Sequence, residues 1–152
     1  MMFTDKDTDT LNSLIATTLD SVDGYREAAE KTDNAGLATA FTSRANEREQ
    51  VVRTFQDKVR AAGGNPEDDG TILAGAHRVF LSLRDAITGD RDDDAIVAEV
   101  ERGEDHIKSK FEDAMKQDDL SPEIRTCIAD CYTSVKQGHD QMSNLKHAMG
   151  AH

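Results

Sequence analysis

Between Asp92 and Gln117 the residues Val97, Val100, Glu104, Ile107, Phe111 and Met115 recur at three- and four-residue steps, the spacing that puts side chains on one face of a helix. A carboxylate therefore stands in the middle of a stripe that packing has to bury. An ionised carboxylate left without compensation in a core is costly, so Glu104 needs a base, a metal, a hydrogen-bond donor or a proton beside it. Both the fold and the function of the chain turn on which of these it meets.

The same period organises the rest of the sequence. Thr8 or Asp9 is placed to cap a first helix running to about Lys31, with Leu11, Leu14, Ile15, Thr18, Val22, Tyr25 and Ala29 as its stripe. Tyr25 carries a hydroxyl inward on this helix, and Asp20, Asp23 and Glu27 are expected on the solvated side. A turn at Asp33, Asn34 and Gly36 precedes a second helix from about Ala35 to Ala62. Its stripe of Leu37, Phe41, Val51, Val52, Phe55 and Val59 contains Arg44 and Arg48, with Glu47 near the edge. Gly63 and Gly64 close it.

A shorter helix is expected from Thr71 to about Ile87, followed by an acidic loop over Asp90 to Asp94. The helix holding Glu104 comes next. Ser121, Pro122 and Glu123 then form a helix start, and the last stripe is Ile124, Ile128, Cys131, Val135, Gly138, Met142 and Leu145, with His139 on its border. Two long antiparallel pairs joined by a crossover helix of about 25 Å, at about 1.5 Å per residue, make an all-α bundle of ferritin-like connectivity. The 152 residues fit a single domain spanning 1–152, with residues 1–7 as a frayed polar start.

Composition narrows the function classes. A formal net charge of -12 and no basic patch interleaved with aromatics argue against nucleic acid and anionic membranes as partners. The charge serves solubility, and its electrostatic complement is a cation or a basic protein. No apolar run of about 18 residues and no signal-peptide pattern is found, which points to the cytoplasm. Cys127 and Cys131 stand four apart on a helical pattern and read as small core residues of a reducing compartment.

Gly24-Tyr25, Ala28-Ala29-Glu30, Gly63-Gly64-Asn65-Pro66, His77-Arg78, Glu101-Arg102-Gly103-Glu104-Asp105 and His139-Asp140 follow one another in a set order. In that order they resemble an uncharacterised bacterial family of four-helix-bundle proteins, a domain of unknown function placed in the ferritin-like superfamily. The resemblance implies a fold and no agreed activity. Di-iron members of that superfamily use a Glu from each of two helices and a Glu-x-x-His from each of the other two. This chain has no Glu-x-x-His: Glu47 is followed three residues later by Gln50, and His139 is preceded three residues earlier by Lys136.

Two partners for Glu104 remain. It lies about 15 residues from the turn joining the last two long helices, and Arg48 lies about 15 from the turn joining the first two, so both fall near mid-bundle if those turns are at opposite ends. A buried Glu104–Arg48 ion pair, with Arg44 and the Tyr25 hydroxyl completing its hydrogen bonds, is the first expectation. The second is a reduced iron or zinc site using Glu104 and His139 with Glu47 or Glu30. His77 reads as a structural hydrogen-bonder, and His106, His147 and His152 as exposed. The functional expectation is a non-catalytic bundle acting as a homo-oligomer, such as a dimer, or through a protein partner; the alternative is an atypical metal-binding member of the superfamily.

Overall fold

Capping chemistry written into the sequence sets where each helix begins and ends. The computed structural model describes residues 4–67 and 93–150. Among them are four α-helices and no strand: α1 Asp5–Lys31, α2 Ala35–Ala61, α3 Asp93–Met115 and α4 Pro122–Gly150. The helix expected over Thr71 to Ile87, with His77 on its border, lies outside the described residues. None of the described helices is long and apolar enough to cross a membrane.

Helix α1 starts earlier than Thr8 or Asp9, and residues 4–7 belong to its first turn, not to a frayed tail. Thr4 is the N-cap: its hydroxyl accepts from the Asp7 backbone N–H at 3.1 Å, while Asp7 Oδ2 accepts from the Thr4 backbone N–H at 2.9 Å. This reciprocal pair satisfies donors that the first turn of a helix leaves open. Asp7 also accepts from the backbone N–H and the hydroxyl of Ser121, at 2.8 and 2.5 Å. One carboxylate thus serves the start of α1 and the residue preceding α4, both positive dipole ends.

The other boundaries follow similar chemistry. Asn34 caps α2 by accepting from the Leu37 N–H at 3.0 Å. At the far end Gly63 takes φ +82°, which lets the Gly63 N–H reach Arg60 O at 2.9 Å and the Gly64 N–H reach Val59 O at 3.0 Å. That is a left-handed helix cap, and a side chain at Gly63 would strain it.

Bonds between elements set the topology. At one end Asn12 donates to Asn65 O at 3.1 Å and accepts from the Glu67 N–H at 2.8 Å, and the Thr10 hydroxyl reaches Gln117 at 3.3 Å. At the other end the Thr32 hydroxyl donates to Asp93 at 2.6 Å. Helix α1 is therefore antiparallel to α2 and α3, and α3 is antiparallel to α4. The closest packing is α1 on α2 and α3 on α4, α1 and α3 join the two pairs, and α2 and α4 touch only sparsely.

The core falls into two apolar halves. One gathers Leu11, Ile15, Phe55, Phe111, Ile124 and Ile128, and the other Val22, Phe41, Ile96, Val97, Val100 and Met142. Of the stripe residues, Ala29, Met115, Cys131 and Leu145 are only partly covered. Asp20 departs from expectation and is buried, because α1 is enclosed on more than one face: Thr17, Ser21 and Gly24 are inside as well as the apolar stripe. A wheel drawn for one buried face places such a residue in solvent.

Asp7 supplies a pH signature. Burial disfavours its charge, but the hydrogen bonds from Ser121 and Thr4 outweigh that and hold the carboxyl below its ordinary value of 3.8. A depressed folded pKa gives stability that is present above the unfolded value and is lost as pH falls through the folded one. We expect Asp7→Asn to lower stability by about 1 kcal/mol at neutral pH. In urea melts the gap to the parent should close as the pH falls below 3.8; a gap independent of pH would show that the charge is not what matters.

Candidate functional site

Between the two apolar halves lies a polar layer to which each described helix contributes one residue: Ser21 from α1, Arg48 from α2, Glu104 from α3 and Gly138 from α4. The helical period that builds the stripes carries each of these positions inward. The side chains of Arg48 and Glu104 are both 0% exposed. Arg48 Nη1 donates to Glu104 Oε1 at 2.9 Å and Nη2 to Oε2 at 2.5 Å, a two-pronged guanidinium–carboxylate bond. Nη1 also donates to the Ser21 hydroxyl oxygen at 2.7 Å, and Nη2 lies 3.5 Å from Val135 O.

The electrostatics follow from this geometry. Burial alone would lower the Arg48 pKa, but the Glu104 carboxylate outweighs burial and the net direction is upward, so the guanidinium stays charged. Its Cζ sits 5.6 Å from the Tyr25 ring centroid, within cation–π range. The Tyr25 hydroxyl pKa is driven well up, first by burial and then by the negative charge of Glu104. That hydroxyl also interacts with the Glu104 carboxylate as a hydrogen-bonding group, though the contact falls short of full hydrogen-bond geometry, and Arg48 Nε has no hydrogen-bond partner among the described residues.

Gly138 is what lets α4 close over the pair. A Cβ at this position would stand 2.5 Å from Arg48 Nη2 and 2.9 Å from Glu104 Oε2, distances at which one of the groups must move. The requirement is for space, since the glycine backbone here is ordinary helix.

The remaining residues singled out from the sequence are placed as follows. Arg44 does not join the buried pair: its Nε donates to Gln141 at 2.7 Å and its Nη1 to Glu47 at 3.0 Å. Glu47 also accepts from the Ser134 hydroxyl. Glu30 is exposed near the end of α1. His139 Nε2 lies 2.6 Å from Asp105 Oδ1 and its Nδ1 lies 3.2 Å from Asp140 Oδ1. Burial would lower the His139 pKa, but these two carboxylates outweigh it and raise it. Glu104, His139 and Glu47 are thus engaged separately, Glu30 stands exposed near the end of α1, and the four do not form one ligand set. The group of three or more potential metal ligands found among the described residues is Glu101, Asp105 and His139. Glu101 and Asp105 stand four apart on α3, a spacing that shares a helix face, and that was the signal available in the sequence.

His106 is half-buried, not exposed, and burial together with Lys110 lowers its pKa. Cys127 and Cys131 are free thiols lining a groove of about 510 Å³ between α2 and α4 with Thr54, Lys58, Glu123 and Asp130. They pack against the apolar half around Ile124 and Ile128 and stand at its edge, only partly covered where α2 and α4 touch sparsely.

A family model described as "Domain of unknown function (DUF2383)" matches residues 6–117. The match covers well over half of the chain and takes in nearly all of α1 with the whole of α2 and α3, so the chain belongs to that family. Arg48 and Glu104 fall inside the matched span; Gly138 and His139 lie beyond it. Curated proteins give no match to the chain.

Two substitutions test the layer. Gly138→Ala forces a methyl group against the ion pair and should cost about 1–3 kcal/mol, as overpacking of a filled interior does. Tyr25→Phe removes a hydroxyl whose contact with Glu104 falls short of full hydrogen-bond geometry and should change stability by less than about 1 kcal/mol. Chemical denaturation measures both. A neutral Gly138→Ala, or a Tyr25→Phe costing several times that amount, would contradict the geometry.

Proposed function

We propose that this family member is a ferritin-like helical bundle without catalytic chemistry in its core, acting through assembly with further copies of itself or through a protein partner. The observation that carries the reading is the mutual engagement of Glu104 and Arg48. A carboxylate held by a charged guanidinium on both oxygens is poorly placed to ligate iron or to pass a proton. The ferritin-like assignment is supported by connectivity. Glu67, bonded to Asn12, and Asp93, bonded to Thr32, lie at opposite ends of α1, so the two antiparallel pairs are joined by a long connection of the kind that distinguishes such bundles.

The exterior supports association as the mode of action. Sparse packing between α2 and α4 leaves the groove beside Cys127 and Cys131 open, and Lys58 bonds to Glu123 across it at 3.0 Å. Mixed charge around an apolar floor suits a self-complementary contact between two copies better than it suits a polyanion, which a net charge of -12 repels. The two unpaired thiols fit a cytoplasmic, reducing setting.

Light scattering across a wide concentration range tests assembly directly. The expected result is a mass above that of one 16.7 kDa chain, with dissociation on dilution. A monomer at every concentration would overturn assembly, and the partner form would fall with it if affinity capture returned no protein that binds the purified chain saturably.

A further inference from the structure

We infer that Glu101, Asp105 and His139 form a binding site for a divalent transition cation of the zinc or iron(II) class, clamping α3 to α4 on the outer side of the polar layer. One ligand atom from each of the three lies within 4.8 Å of the other two, close enough for a single ion to draw them together. The site is separate from the buried pair, since Glu104 is held by Arg48, and it stands independently of whether the chain assembles.

The donor set indicates the class of ion. An imidazole with two carboxylates suits zinc, iron(II) and their neighbours, whereas magnesium and calcium favour all-oxygen cages. The ring is already oriented for the task. Asp140 holds its Nδ1 edge at 3.2 Å, which directs Nε2 toward Asp105 at 2.6 Å, and ligating histidines are aimed in this way by a second carboxylate. The histidine side chain is 18% exposed and that of Glu101 14%, while Asp105 at 56% opens to solvent. An ion could therefore enter past Asp105 and complete its coordination with water. Lys146 stands 3.6 Å from Glu101 and would swing away as the ion's charge replaces its own.

The test is titration of the full chain, stripped with chelator, with zinc by calorimetry and with cobalt(II) by absorption. We expect one saturable site, a zinc-dependent rise in melting temperature and cobalt bands without thiolate charge transfer. Asp105→Asn and His139→Gln, each with an unchanged helical circular dichroism spectrum, should weaken zinc by at least about 10-fold. Absence of a saturable site, undiminished binding in both variants, or a thiolate band assigning the ion to Cys127 and Cys131 would each overturn the inference. If a variant fails to fold, a magnesium titration of the parent decides: magnesium binding as tight as zinc contradicts an imidazole ligand.

Discussion

The bond between the Arg48 guanidinium and the Glu104 carboxylate is the constraint on which the rest of the bundle depends. Neither group reaches water, so each has to find the other wherever the helices settle. Desolvation offsets most of the Coulomb attraction in such a pair, and its net contribution to stability is small. Its effect is on specificity. Sliding α2 against α3 by one turn, about 5.4 Å, would leave a lone charge in each apolar half. Ser21 and Gly138 extend the restriction to α1 and α4, one by accepting a hydrogen bond and the other by leaving room.

Polar bonds at the two ends act with this central layer. Asp7 joins the starts of α1 and α4, Asn12 binds the chain leaving α2, and Thr32 binds the first turn of α3. Apolar packing supplies most of the driving force between these points, but it is not directional and would tolerate several alignments. Three polar levels, two terminal and one central, select a single alignment. Among the described residues, the open groove between α2 and α4 and the carboxylates gathered around His139 lie outside this framework.

Much of this was legible in the sequence because helix boundaries and apolar stripes are local properties. Asn34, the Gly63-Gly64 pair and Ser121-Pro122 mark helix ends whose chemistry the structure displays. The start of α1 was hidden because Thr4 and Asp7 make a capping box with aspartate where glutamate is the usual partner. Glu104 announced itself as a charge in a stripe, and the position of Arg48 followed from counting residues to the turns. The different fates of Arg44 and Arg48, one turn apart on the same helix, could not be read this way: they depend on how far α2 is rotated toward α3 and α4, which is a tertiary quantity. Asp20 was misplaced for a similar reason, since periodicity shows a preferred face and not how many faces are covered. The cluster at His139 needed the relative rotation of α3 and α4, so only its Glu101–Asp105 half was visible beforehand.

A double-mutant cycle on the buried pair, read by urea denaturation, tests the central role of this bond most directly. Arg48→Met and Glu104→Leu should each lower stability by about 3–5 kcal/mol, because each strands the other's charge in the core. The double variant should recover a large part of that loss, giving a coupling energy above about 2 kcal/mol. Losses that add to within about 0.5 kcal/mol would contradict it, showing that Arg48 and Glu104 are held by other groups and that the bundle takes its alignment from elsewhere.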